Sequence, residues 1–99
     1  MDLLKDDEIA SRIRMIGPWE YDSDDKILIR ETMFKDFMEA MGFLNKLAES
    51  AEKLNHHPDM TLCEYNRVLV TTTTHDSNGV TDNDIRLAQS FEEILEGYD

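Results

Sequence analysis

Histidine is the side chain of this sequence best suited to proton chemistry, and the chain has three: His56, His57 and His75. An imidazole can both give and take a proton near pH 7, so each is a candidate general acid or base. The first two are adjacent and stand just before Pro58. The third follows a run rich in valine and threonine. We therefore predict a site where the end of a helix and the end of a strand meet.

Two other interpretations of these histidines are open at this point. Three imidazoles could hold a zinc ion with one open coordination position. The pattern is a weak one for zinc, because adjacent histidines are poor co-ligands, no H-x-x-x-H pair occurs and the only cysteine, Cys63, has a different setting. The adjacent pair could also be structural, either capping a helix or lying exposed on the surface.

The segment before the histidine pair predicts a long amphipathic helix from about Phe34 to Leu54. At about 100° per residue, its apolar side chains cover roughly 220° of the helix, about twice what packing on one sheet face needs. We predict that the helix packs on the domain's own sheet and also on a second subunit. Glu52 falls inside the apolar sector near its polar edge, so it is either solvated at a frayed end or held there for a purpose. Pro58 ends the helix, because the residue before a proline is pushed out of the helical region.

The rest of the sequence alternates hairpin strands with helices. The predicted elements are a helix over about residues 6–14, strands around Trp19–Tyr21 and Ile27–Ile29, the long helix, strands over Met60–Leu62 and Tyr65–Thr74, and a helix after Thr81. This α-β-β-α-β-β-α order predicts an α+β fold with a single four-stranded antiparallel sheet and helices packed on one face.

Two local patterns refine this prediction. Alternation along the strongest strand puts Val68, Val70 and Thr72 on one face, and Tyr65, Leu69, Thr71, Thr73 and His75 on the other. Thr81 and Asp84 resemble a capping box at the start of the last helix.

The composition limits the classes of protein that the chain can represent. Its 99 residues make one domain, which we place at residues 1–99. A formal net charge of −12 repels nucleic acid and anionic lipid, so direct binding to DNA or RNA is not expected. No apolar run approaches the roughly 20 residues of a membrane span, and the first residues lack the basic and apolar segments of a leader peptide. A single cysteine fits a reducing compartment, and we expect the cytoplasm.

A set of motifs in this sequence resembles the signature of the pterin-4a-carbinolamine dehydratases, a family also known as dimerization cofactor of a homeodomain transcription factor. The motifs are Glu52-x-x-x-His56-His57-Pro58, Tyr65-Asn66-Arg67-Val68, Thr74-His75-Asp76, Gly79 and Asp84, with Trp19, Phe34-Lys35-Asp36-Phe37 and Leu87-Ala88 also matching. The resemblance covers most of the chain. One departure is that six residues, 59–64, lie between Pro58 and Tyr65 where the family usually has five. We expect a loop or a bulge before the strand to absorb the extra residue.

The resemblance implies an activity, namely dehydration of a 4a-hydroxytetrahydropterin (a pterin carbinolamine) to the quinonoid dihydropterin in tetrahydropterin recycling. The hydroxyl leaves as water while the neighbouring ring nitrogen loses a proton, so the reaction needs a general acid and a general base but no metal or organic cofactor. By carry-over, His56 and His75 are the acid and base, and His57 orients the substrate.

The resemblance also implies supporting residues. Glu52 would raise the basicity of His56 or bind the pterin. Asp84 would orient the His75 imidazole, cap the last helix, or do both. Trp19 would close over the flat pterin ring, although a place in the core or in an interface suits a tryptophan better.

A second role of the family gives an alternative function. The protein would then be a non-enzymatic interaction module that stabilises dimers of a partner protein, such as a transcription factor, through the surface of its helices. The wide apolar stripe of the long helix predicts a homo-oligomer, and both dimers and tetramers occur in proteins that resemble this one.

Overall fold

A computed structural model of the protein describes residues 2–98. The elements are α1 (Asp6–Arg14), β1 (Glu20–Asp22), β2 (Ile27–Met33), α2 (Phe37–Leu54), β3 (Asp59–Cys63), β4 (Arg67–Thr72), a single 3-10 turn (His75–Ser77) and α3 (Asp82–Leu95). All strand pairs are antiparallel and the sheet order is β1-β2-β4-β3. The predicted α+β fold and its element order are confirmed.

The helix-covered face of the sheet carries the side chains that the alternation predicted. Val68, Val70 and Thr72 of β4 are buried, while the residues between them are only partly covered. On the neighbouring strand, Leu28 pairs with Thr72 and Arg30 with Val70, and both are buried. Thr72 is therefore a hydroxyl on an otherwise mainly apolar face, at the end of its strand.

The strand predicted from Tyr65 to Thr74 is shorter at both ends. Glu64 and Tyr65 have positive φ angles of 50° and 58°, so they form the turn that leads into β4. After Thr72 the chain leaves the ladder, and His75 begins the 3-10 turn. The prediction that Tyr65 and His75 belong to this strand is therefore wrong, because its ends are set by turns whose signals are weaker than the valine and threonine run.

The turn between β3 and β4 also accommodates the unusual spacing after Pro58. Pairing continues without a break from Asp59 with Thr71 to Cys63 with Arg67. The ladder therefore contains no bulge, and the residues between Cys63 and Arg67 make up the loop.

The long helix begins at Phe37, later than the predicted start at Phe34. Its N-cap is Asp36, whose side chain accepts a hydrogen bond of 2.8 Å from the backbone N–H of Glu39. Phe34 precedes the helix, and its ring packs 4.9 Å from the ring of Phe43, centroid to centroid. One side of α2 is buried against the sheet and α3, with Ala40, Phe43, Leu47 and Ala51 in the core.

A largely buried ion pair joins the sheet to α3. The Arg30 guanidinium, whose side chain is 8% exposed, donates to both carboxylate oxygens of Glu92 at 2.8 and 3.1 Å. The indole N–H of Trp19 donates to the same carboxylate at 2.9 Å. Gly17 leaves room for this group, because a Cβ there would lie 2.8 Å from the Glu92 carboxyl carbon. The Glu92 side chain thereby connects α3 to the segment around Gly17 and Trp19 and to β2.

We predict that Glu92→Ala lowers the free energy of unfolding by about 3–5 kcal/mol, because it leaves a buried guanidinium without its partner. The matched control is Glu93→Ala, which removes the same group from an exposed position of the same helix and should change stability by less than about 0.5 kcal/mol. Urea denaturation followed by circular dichroism measures both variants. Equal losses in the two would contradict a structural role for the ion pair.

Candidate active site

The three histidines line one pocket of about 270 Å³. The other lining residues are Asn55, Thr73, Thr74 and Asp76. The walls come from the C-terminal end of α2 and from the segment that leaves β4. The pocket is polar and partly open, and its volume is slightly below the range of most ligand sites.

The end of α2 sets the directions of the adjacent histidines. Asn55 adopts the left-handed conformation (φ 53°, ψ 42°), and its N–H bonds to carbonyls of the last helical turn. The N–H of His56 bonds to the carbonyl of Ala51 at 3.1 Å. The chain therefore turns sharply at this point. His56 is buried at 8% exposure, whereas the side chain of His57 is 59% exposed.

The buried imidazole of His56 contacts the sheet and α3. Its Nε2 lies 2.7 Å from Oδ1 of Asp84 and 3.1 Å from Oγ1 of Thr72. The hydroxyl of Thr72 donates to the same Oδ1 at 2.6 Å. The ring is thus held by a strand hydroxyl and a helix carboxylate at once.

Asp84 is fully buried, and protein groups take the place of water around its carboxylate. Its Oδ2 accepts hydrogen bonds from the hydroxyl of Thr74 at 2.7 Å and from the N–H of Thr81 at 2.9 Å. The predicted capping box of Thr81 and Asp84 is present. The expectation that Asp84 orients His75 is wrong, because the carboxylate contacts His56 instead.

His57 and Glu52 form the outer wall of the site. Nε2 of His57 makes a short contact with Oε2 of Glu52, whose side chain is 75% exposed. Glu52 therefore supports His57, and the prediction that it acts on His56 is wrong. The left-handed residue between the helix and the histidines explains this exchange of partners, because it turns His56 away from the surface on which Glu52 lies.

His75 and Trp19 occupy different environments. His75 is exposed at the start of the 3-10 turn, and it lines both the histidine pocket and an adjoining depression of about 130 Å³. Trp19 is buried at 6% exposure, with its ring edge-on to Phe91 and its N–H on Glu92. It does not line the histidine pocket, so its position gives no support to the predicted contact with a ligand.

Sequence reasoning missed two hydroxyl groups of the site, those of Thr72 and Thr74. A signal was present for Thr72, because alternation placed it on the buried face, where a polar group needs a partner. Thr74 was matched in the motif Thr74-His75-Asp76, but that motif gave no signal that its hydroxyl would donate to Asp84.

Residues 2–98 contain no group of three or more histidine, cysteine, aspartate or glutamate side chains arranged to hold a metal ion. Within the same residues, no helix is long and apolar enough to cross a membrane.

The fold and the pocket together define a small α+β domain with a histidine-lined site at the junction of a helix end and a sheet. The chain belongs to the pterin 4 alpha carbinolamine dehydratase family, whose family model matches residues 2–94.

Similar proteins match over nearly the whole chain. A protein of Thermomicrobium roseum is 46% identical over 94 residues, which are 95% of this chain and 98% of the relative. One of Sulfurisphaera tokodaii is 38% identical over 95 residues, covering 96% and 99%. Both carry the provisional name pterin-4-alpha-carbinolamine dehydratase.

Two solved structures resemble the fold. A transcriptional coactivator/pterin dehydratase from Brucella melitensis superposes with a TM-score of 0.88 at 39% identity, covering 94% of this chain and 98% of that one. A pterin dehydratase-like protein identified as a RuBisCO assembly factor in the alpha-carboxysome superposes with a TM-score of 0.67 at 16% identity, covering 79% and 89%. The second likeness shows the fold alone.

We predict that Asp84→Asn lowers the free energy of unfolding by about 1–3 kcal/mol or more, because the new amide N–H₂ faces buried donors that it cannot accept from. The control is Asp82→Asn, which alters an ion pair with Arg12 whose side chains are 38% and 48% exposed and should cost less than about 1 kcal/mol. Guanidinium denaturation midpoints compare the two. A larger loss at position 82 would contradict the buried network.

Proposed function

We propose that this protein dehydrates a 4a-hydroxytetrahydropterin to the quinonoid dihydropterin and so supports tetrahydropterin recycling. The observation that carries the proposal is the convergence of His56, His57 and His75 on one pocket in a chain of this family. The provisional names of the relatives and the name of the Brucella melitensis protein agree with it. We also propose that the enzyme works in the reducing cytoplasm.

The reaction breaks the C–O bond at the carbinolamine carbon and forms a carbon–nitrogen double bond. A general acid gives a proton to the departing hydroxyl, which leaves as water, and a general base takes the proton of the neighbouring ring nitrogen. Protons and electrons balance within the substrate, so the proposed mechanism calls for no metal and no organic cofactor.

We assign the base to His56 and the acid to His75. The His56 ring becomes positive as it takes a proton, and the Asp84 carboxylate 2.7 Å away compensates that charge. His75 is exposed, so it can recover a proton from solvent after each turnover. His57, supported by Glu52, orients the substrate at the outer wall.

We predict that His56→Ala and His75→Ala each lower kcat/KM by about 10²–10⁴-fold, since each removes a proton-transfer group. The substrate is a synthetic 4a-hydroxytetrahydropterin, and product formation is followed by absorbance. Circular dichroism checks that the variants are folded, and Glu49→Ala, an exposed change on α2, serves as the control. Turnover at the wild-type rate in either histidine variant would show that the site is assigned wrongly.

A second subunit is proposed to cover the free apolar side of α2. Phe37 and Met38 are 46% and 74% exposed, and Met41, Leu44 and Ala48 continue this side along the helix, only partly buried. An apolar surface of this kind on a small domain is typical of an interface. We propose a homo-oligomer, a dimer or a tetramer, formed through this side of α2.

We predict that light scattering gives the mass of a dimer or a tetramer of the 11.5 kDa chain. Met38→Glu should lower this mass, because it would bury a carboxylate without a partner in the interface, which is costly. Met15→Glu is the control, since Met15 is 89% exposed and lies outside α2. A wild-type mass of 11.5 kDa in dilute buffer would rule out the oligomer.

The same apolar side of α2 supports the alternative function, an interaction module for a protein such as a transcription factor. The word coactivator in the name of the Brucella melitensis structure agrees with it. The two functions separate cleanly in experiment. Absence of dehydratase activity in the wild type, together with partner binding that survives substitution of His56 and His75, would favour the module.

A further inference from the structure

Three buried polar atoms meet in a triangle behind the histidine pocket. They are Nε2 of His56, Oγ1 of Thr72 and Oδ1 of Asp84, separated by 2.6 Å between the hydroxyl and the carboxylate, 2.7 Å between the imidazole and the carboxylate, and 3.1 Å between the imidazole and the hydroxyl. The three residues are 8%, 2% and 0% exposed. Each atom must therefore find its hydrogen-bond partners within the protein.

The number of hydrogens available to the three atoms decides whether Nε2 of His56 carries one. An ionised carboxylate only accepts, and the single hydroxyl proton of Thr72 is used on Asp84. A bare Nε2 would then point its lone pair at a carboxylate oxygen 2.7 Å away, a distance that leaves no room for a water between them. The arrangement is satisfied when Nε2 of His56 carries a proton.

The other ring nitrogen of His56 has different surroundings. Among residues 2–98 no hydrogen bond reaches Nδ1, and this atom is not one of the buried atoms left without a partner. His56 itself lines the pocket. Nδ1 is thus the ring nitrogen that a ligand in the pocket can reach.

We propose that Thr72 and Asp84 lock His56 in the tautomer with hydrogen on Nε2, so that Nδ1 exchanges the proton with the substrate. Nε2 keeps its hydrogen in both the neutral and the charged ring, and only Nδ1 changes. Thr72 is a positioning residue in this scheme, since it acts on the substrate only through His56. The catalytic part of the inference rests on the proposed function, whereas the tautomer does not.

Thr72 has a place in the network that no other hydroxyl of the described residues shares. The hydroxyl of Thr74 and the backbone N–H of Thr81 donate to Oδ2 of the carboxylate, whereas the imidazole contacts Oδ1. Thr72 alone contacts both His56 and Asp84. Its hydroxyl therefore fixes the angle at which the ring meets the carboxylate, and its loss would free the ring to turn while Asp84 stays capped.

The first experiment measures the tautomer directly. Proton–nitrogen correlation spectra of the imidazoles, with His56 identified from the signal lost in His56→Gln, should show a protonated Nε2 and a bare Nδ1 in the neutral ring. In Thr72→Val, which keeps the side-chain shape without the hydroxyl, Nε2 should stay protonated against Asp84, but the His56 signals should shift because the ring is free to turn. In Thr72→Ser they should match the wild type.

The second experiment measures turnover in the same variants. Thr72→Val should lower kcat about tenfold with little change in KM, as expected when a group aligned for the transition state is lost, and Thr72→Ser should recover kcat to within about threefold. The control is Thr61→Val on β3, which removes an exposed hydroxyl that lines neither the histidine pocket nor its neighbouring depression.

The outcomes separate the inference from the proposed function. A bare Nε2 in the wild type, or full activity in Thr72→Val, overturns the inference. If Thr72→Val does not fold, the wild-type spectrum and Thr72→Ser still decide the tautomer. Absence of dehydratase activity in a wild type whose Nε2 is protonated overturns the proposed function and leaves the tautomer standing.

Discussion

The buried carboxylate of Asp84 is the group on which the rest of the site depends. A charge without water must be surrounded by donors, and here they come from three parts of the fold: hydroxyls at the end of β4, the backbone at the start of α3 and the imidazole that follows α2. None of these segments can move away without leaving the charge unsatisfied. The pocket is therefore assembled by the same contacts that complete the domain.

Much of the fold could be predicted from periodicity. A helical period in the segment ending at Leu54 and alternation through Val68 and Val70 identified the long helix and the central strand, because burial on one side constrains every turn of a helix and every second residue of a strand. Element ends were less predictable. The helix begins only after its N-cap at Asp36. The turn at Glu64 and Tyr65 uses two left-handed residues, and no glycine in the sequence marks it as a turn.

The sequence predicted that the histidines lie together, but it did not predict their contacts. The three histidines do line one pocket, as their places at element ends suggested. The partners of the two carboxylates, however, differ from the predicted ones. Asp84 contacts His56, and Glu52 contacts His57. Sequence spacing describes a continuing helix, whereas one left-handed residue after its end redirects every side chain that follows. Residue spacing alone does not predict that turn.

The same residue has a consequence for how the two histidines tolerate substitution. Asn55 sends two adjacent, chemically identical side chains into opposite environments, one buried and one exposed. The side chains of His57 and Glu52 are largely exposed, so substituting either one should cost little folding free energy. His56 contacts the buried Asp84 carboxylate, so substituting it removes one of the groups that solvate that charge. Within one dipeptide the chain thus places a histidine whose substitution should cost little stability beside one whose substitution should cost more.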